Sequence, residues 1–566
     1  MSEGNYWAGG NRVSRRAVLR GAAWGGVGLA ASALIGCSSK TDSKGAAPGA
    51  NAPSGTTAAA AVQGKSGGRL ARAISNDPDT LDLHSSETSA TMTPAAPLYN
   101  NLVQFDPMKV GDTPADIIPD LATSWEVAPD GMTYTFKLVQ NAKFHDGTPF
   151  TSADVKASIE RQQKPPDDLK IAPRNGMLQV IKSVETPDPY TVRLLTKQPA
   201  SPLSMLPMMG QGWMAIYSKK DIEAKFDYKA KGNGTGPFRE IKINRGSNTT
   251  LQKNKEYHVK GRPFLDGLDL FNMPQESARD AALQAGQLHI GSANPATLGP
   301  LKSALGDKAN YFERPDLVFD MLSFNTTKAP WKDERVRLAF ARAINRDDAI
   351  KVVMKGAGIA GGYMRSGGGW DVPLADIRKV PGYEPFGANT IADSKKLLMA
   401  AGVPEGFKVP LLIRQTVSEN QGLFAADQLA KIGVTVTQDV QQSAVAYQRL
   451  NKGEFDLVVF GLTTALDDPD AVYSQYHLQD APGNYTKLST PQLEELFKKQ
   501  TVELDPAKRK DLVRQMELTA LPLLAKVVFY WKVSNAIAHK SVKSWTLHAR
   551  TGDYNNSRFQ DVWLDA

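Results

Sequence analysis

One cysteine, Cys37, occurs in 566 residues, so no disulfide can form within the chain. A chain this long needs none to build a core, and outside the cytoplasm a spare thiol invites oxidation. Histidine is scarce too: His84, His145, His258, His289, His477, His539 and His548 are all there are. No two lie within four residues of each other, which removes the local helical zinc or nickel motif. Also missing is a serine-hydrolase elbow on a strand-to-helix turn. The nearest approach to a phosphate loop, Gly64-Lys65-Ser66-Gly67, lacks the upstream glycine spacing. No arginine-rich run or aromatic-interleaved basic stripe appears, so nucleic acid is not an expected partner. The formal charge of +8 is mild for this length and speaks only of solubility. Nothing signals catalysis, a cofactor or a resident metal.

What is present begins at the N-terminus. Arg12, Arg15, Arg16 and Arg20 precede an apolar, small-residue run from Gly21 to Ile35, closed by Leu34-Ile35-Gly36-Cys37. Fifteen residues cover about 22 Å as a helix, short of the roughly 30 Å of a bilayer core, so this is an export signal rather than a span. Ser14-Arg15-Arg16 with Arg20 resembles the twin-arginine export motif, and Leu34 to Cys37 resembles a bacterial lipobox. The expectation is a signal peptide over 1–36 and acylation of Cys37, leaving the chain extracytoplasmic and anchored to the cell membrane by lipid. Loss of four arginines and Glu3 then lowers the charge from +8 to +5. Residues 37–68, rich in Gly, Ala, Ser, Thr and Pro, are expected to be a flexible tether.

The body reads as α/β. Asp130-Gly131 between Ser124–Val127 and Tyr134–Phe144 predicts a hairpin. Thr151-Ser152-Ala153-Asp154 predicts a capping box opening a helix to Gln163. Val336, Phe340, Ala343 and Ile344 predict one helix from 336 to 355, ended by Gly356. From Lys408 to Leu462 the pattern is β-α-β-α-β, the order of a parallel sheet covered by helices. Ligands of such sheets sit beyond the carboxyl ends of the strands, here the segment Thr463 to Asp470. Asp467, Asp468 and Asp470 could serve as an acid/base pair, as oxygen ligands for a metal, or as a turn and helix cap.

Four blocks resemble the family 5 extracellular solute-binding proteins, receptors that feed peptide and nickel ABC importers. They are Pro97 to Val103 with Pro119 to Glu126; Tyr134 to Leu138 with Phe144 to Phe150 and Ala153 to Val155; Gly234-Thr235-Gly236-Pro237-Phe238 with Leu265-Asp266-Gly267; and Phe324-Asn325-Thr326 with Asp333 to Arg337 and Ala343 to Arg346. The resemblance implies a two-lobed, type II periplasmic-binding fold. One lobe would comprise 69–325 plus 531–566, with a subdomain near 104–232, and the other 326–530, hinged near Asn325 and Trp531. Read locally, Asp146 to Pro149 is a tight turn, and Gly234 to Pro237 supplies two flexible residues and a rigid one where the chain re-enters its first lobe.

The same resemblance places ligand contacts. Ala465 stands where peptide-binding relatives hold the amine with an aspartate; Asp467, two residues on, either substitutes or caps the turn. Arg365, in the loop Gly358 to Trp370, corresponds to an arginine that holds a carboxylate. Ser85 to Ser89, with Glu87 and Thr88, lies where relatives give backbone contacts. Asn325, Thr463 and Leu466 complete the set, and Trp213, Trp370, Tyr530 and Trp531 are candidate aromatic walls. The implied function is a monomeric, non-enzymatic receptor that binds a peptide or peptide-like solute and delivers it to permease subunits. A sensor or chaperone of the same fold, an oligosaccharide or metal-chelate receptor, and a secreted enzyme are the alternatives.

Overall fold

The computed structural model describes residues 63–86, 88–109, 116–166, 174–229, 231–415, 417–464, 466–548 and 555–565. Cys37, the signal and most of the tether lie outside these residues, as do Glu87 and Ala465.

Eleven strands form one large sheet among the described residues. Its order is Thr435–Gln441, Lys408–Arg414, Leu457–Thr463, Ala309–Phe324, Lys526–His539, Ile290–Ala293, Arg69–Ile74, Gly267–Asn272, Asn248–Lys253 and Phe238–Asn244, with Gly358–Ile359 also paired to Lys526–His539. The β-α-β-α-β reading holds: Lys408–Arg414 runs parallel to both Thr435–Gln441 and Leu457–Thr463, with helices Glu419–Ala430 and Ser443–Lys452 between them. Two long antiparallel strands, Ala309–Phe324 and Lys526–His539, join this parallel half to the other half. Their pairing is interrupted between Pro315 and Phe319, opposite Val533 and Trp531.

A second body is a four-stranded antiparallel sheet, ordered Ala122–Val127, Thr133–Leu138, Thr191–Thr196 and Ile181–Asp188. The predicted hairpin is its first pair; Gly131 takes φ +67°, and Met132 N–H donates to Asp130 Oδ1 at 2.9 Å. The helix Ser152–Gln163 packs on this sheet, and Thr151 N–H donates to Asp154 Oδ2 at 2.8 Å, one arm of the capping box. Leu466 and Ala471, from the far end of the parallel half, belong to this body's hydrophobic cluster.

Three expectations are corrected. The single helix over 336–355 is two pieces: Glu334–Ala343 ends at Ile344, and a new turn starts at Asn345, whose side chain accepts from Asp348 N–H at 3.2 Å. A side-chain acceptor at that point competes with continuation of the helix. Residues 65–67, expected to be part of a tether, are held by the fold: Gly67 N–H donates to the Phe264 carbonyl (2.9 Å) and Lys65 pairs with Asp565. Gly234 and Gly236 serve close packing rather than flexibility. A Cβ at 234 would stand 1.9 Å from the Leu98 carbonyl oxygen, and one at 236 would stand 2.4 Å from its carbon. The Asp146–Pro149 turn is as read, with Gly147 at φ +87° and Thr148 N–H on Asp146 Oδ1.

Candidate functional site

Strand Leu457–Thr463 ends with Thr463, exposed, its carbonyl accepting from Tyr476 Oη at 2.9 Å. Leu466 is 3 % exposed and sits in the core described above. Asp467 neither caps the next helix nor stands free. Arg365 Nη2 donates to its Oδ2 at 2.7 Å and Nε at 3.1 Å, with Gly369 N–H at 3.3 Å, and both side chains are almost wholly buried. The two charges expected to hold opposite ends of a solute hold each other. The helix cap is Asp468, whose side chain accepts from Asp470 N–H at 2.9 Å at the start of Pro469–Tyr476.

Behind that cap lies a cation absent from the sequence reading. Arg509 is fully buried on the helix Pro506–Ala520 and donates to Asp468 (3.2 and 3.3 Å) and to Asp470 (3.4 Å). Burial raises the Asp468 carboxyl to about 6; Arg509 opposes the rise and Asp470 adds to it. From the small sheet's body, Ser204 Oγ lies 3.0 Å from Asp468 Oδ2 and 3.2 Å from Asp470 Oδ2, with one proton to give to either. A cavity of about 350 Å³ opens beside these groups, walled by Met177, Met205, Met208, Leu466 and Phe497.

Trp370 lies with its ring 4.5 Å from the Arg509 guanidinium carbon. It is 5 % exposed, and its Nε1 has no hydrogen-bond partner among the described residues. It combines burial with an unused donor in the loop expected to contact the solute, as Thr464 Oγ1 does in the segment after the strand.

Several others turn out to be structural. Asn325 donates to the Gly453 and Phe455 carbonyls, both at 3.0 Å, and is 1 % exposed. Trp531 donates to the Gly362 carbonyl at 2.9 Å and packs on Phe319. Tyr530 Oη donates to Asp320 at 3.0 Å, and Trp213 is core of the small sheet's body. A satisfied hydrogen bond or a core position, rather than burial, sets these aromatics apart from Trp370. Thr88 is exposed and caps Ser89–Ala95, while Ser85 Oγ donates to the Asp82 carbonyl. That segment is anchored by Asp82, which takes a buried ion pair from Arg161 at 2.6 Å. Neighbouring His84 is pushed down to about 4 by burial and by Arg161. Among the described residues no group of three or more His, Cys, Asp or Glu could hold a metal ion. Nor is any helix among them long and apolar enough to cross a membrane.

The family profile described as bacterial extracellular solute-binding proteins, family 5 Middle, matches residues 116–484. A dipeptide-binding protein of Escherichia coli K12 is 29 % identical over 458 residues, 75 % of this chain and 82 % of its own. Among solved structures, the ABC transporter-associated periplasmic binding protein DppA from Helicobacter pylori, in complex with the peptide STSA, superposes with a TM-score of 0.71. It is 27 % identical, covering 89 % of this chain and 99 % of that one. The binding protein AgaA from A. tumefaciens R10, in complex with agropinic acid, superposes with a TM-score of 0.73 at 28 % identity, covering 88 % and 99 %.

Proposed function

The chain belongs to the family 5 bacterial extracellular solute-binding proteins, and from that premise we propose that it captures a peptide or peptide-like small solute for an ABC importer. The solute would lie at the carboxyl end of the parallel half, between the loop Gly358 to Trp370 and the segment around Thr88. The lobes would be 69–325 plus 531–566, carrying the small sheet, and 326–530. We draw the first crossover back from Asn325 to the interrupted pairing of Pro315–Phe319 with Trp531–Val533, moving that lobe boundary with it, since missing ladder bonds make bending easier there. The N-terminal signal would export the chain, with Cys37 as its lipid anchor and permease subunits as its docking partners. The protein would act by grip and release, without chemistry.

The observation that carries this reading is the unpartnered, buried indole N–H of Trp370, a donor suited to a peptide carbonyl. Beside it, Arg365 and Asp467 neutralise each other, and position 465 is alanine. A receptor so built has little need of a free solute amine. The test is mass spectrometry of whatever co-purifies with the full chain, followed by titration with alanyl-phenylalanine and its N-acetyl form. Peptide-like material and similar affinity for both forms support the reading. A co-purifying compound without amide groups, together with no binding of either probe, rejects it. Trp370→Phe is expected to weaken binding by about tenfold, the net worth of one hydrogen bond.

A further inference from the structure

Glu517 lies on the helix Pro506–Ala520, with no solvent exposure. Its carboxylate accepts from two other segments of the chain. Tyr363 N–H makes a short contact to Oε1, Met364 N–H reaches Oε2 at 3.2 Å, and Tyr473 Oη donates to Oε2 at 3.0 Å. Met364 directly precedes Arg365, and Tyr473 stands on the helix that follows Asp467 and Asp468. The loop admits the carboxylate only because residue 362 is glycine; a Cβ there would meet Glu517 Oε1 at 1.9 Å.

Among the described residues none supplies it with a counter-charge. Tyr363 and Tyr473 face it, Tyr383 lies close by, and His477 packs on the rings of Tyr363 (4.2 Å) and Tyr473 (5.0 Å). Nearby Lys526, itself lowered to about 7 by burial, donates instead to Asn484 (3.1 Å) and Thr486 (3.3 Å). Burial without a cation raises Glu517 to about 7. Such a group costs stability, and an apolar side chain would serve the core better.

We propose that Glu517 is a positioning residue of the solute site, clamping the loop that carries Arg365 and Trp370 to the helix that carries Asp468. The role assigned to that loop rests on the function proposed above. A carboxylate has lone pairs for all three donors. Glutamine in its place offers one acceptor oxygen; Tyr473 Oη can accept from its NH2, but the Tyr363 and Met364 N–H groups cannot, so the 3.2 Å bond from Met364 is lost and the hold on the loop weakens.

Hydrogen exchange on the full chain tests this, comparing wild type, Glu517→Gln and Val513→Ala, a buried truncation on the same helix. Glu517→Gln is expected to speed exchange in 360–370 and 466–476 by at least about tenfold while sparing strands 408–414 and 457–463. Val513→Ala is expected to show no such focus. Corrected for the intrinsic rate, wild-type protection of 360–370 should also rise as pH drops from about 8 to about 6, because the closed state holds a proton that the opened segment releases, and that slope should vanish in Glu517→Gln. Unchanged protection in Glu517→Gln, or loosening spread as in Val513→Ala, overturns the proposal. Alanyl-phenylalanine titration of the same proteins separates the two ideas. Weaker binding by Glu517→Gln supports both, and undiminished binding by a loosened loop overturns positioning alone. If the wild type also fails to bind the dipeptide, the peptide reading falls, and the focused loosening still supports the clamp.

Discussion

Asp467 and Asp468 are neighbours in sequence and opposites in surroundings. Asp467 turns toward the loop before Trp370 and meets one arginine in a nearly dry one-to-one pair. Asp468 turns inward, shares Arg509 with Asp470, and receives a hydroxyl from the small sheet's body through Ser204. The first arrangement closes a charge pair on itself. The second knits together a helix start, a buried cation and a separate body of the fold. A peptide turn of one residue is therefore enough to separate a neutralised site from a structural brace.

The sharpest way to break this contrast is Arg509→Met. It leaves two carboxylates without their cation and should cost about 3–5 kcal/mol in urea unfolding. Arg365→Met should cost less, about 3 kcal/mol, because the Gly369 N–H still reaches Asp467. Pairing it with Asp467→Leu should recover most of that loss, since an ion pair replaced whole by apolar groups is nearly neutral. If the double variant is no better than the single one, Asp467 has a role beyond its partner.

Acidity offers a further handle on Asp468. Asp468 titrates near 6 when folded against an ordinary 3.8, so the folded state keeps its proton longer than the unfolded chain. Its contribution to stability is full below about pH 3.8 and declines as pH rises through about 6, by about 2–3 kcal/mol. Asp468→Asn should remove that part of the slope when unfolding midpoints at about pH 4 and about pH 7 are compared. Smallest of all, Ser204→Ala should cost about 1 kcal/mol, the net value of one hydroxyl bond. A much larger loss would mean that Ser204 carries the contact between the two bodies by itself.

Much of this was legible in the chain. The strand-like run from Val409, the stop at Gly433, alternating Val434 to Val440 and the run Leu457 to Phe460 encode strand-helix periodicity locally, and the parallel half follows. The break at Asn345 was not, because a periodic average over 336–355 is blind to one side chain that caps the backbone. Arg365 and Asp467 were each visible as charges, but 102 residues separate them and their pairing is a property of the fold. Glu517 and Arg509 sit in an ordinary-looking helix rich in charge, and only burial distinguishes them from its surface residues. Asp120 shows the same limit from the other side. It lies in a block that signals the family, and the fold uses it to bind Asn100, Asn101 and Arg558 together.

The two long strands that join the halves of the large sheet are hydrogen-bonded to each other on both sides of their interruption. Any swing of one half against the other must therefore twist a continuous ribbon, with the stretch from Pro315 to Phe319 as its soft spot. Such a coupling behaves as a torsion spring with a restoring force of its own, so the resting angle between the halves is written into backbone pairing before a guest arrives.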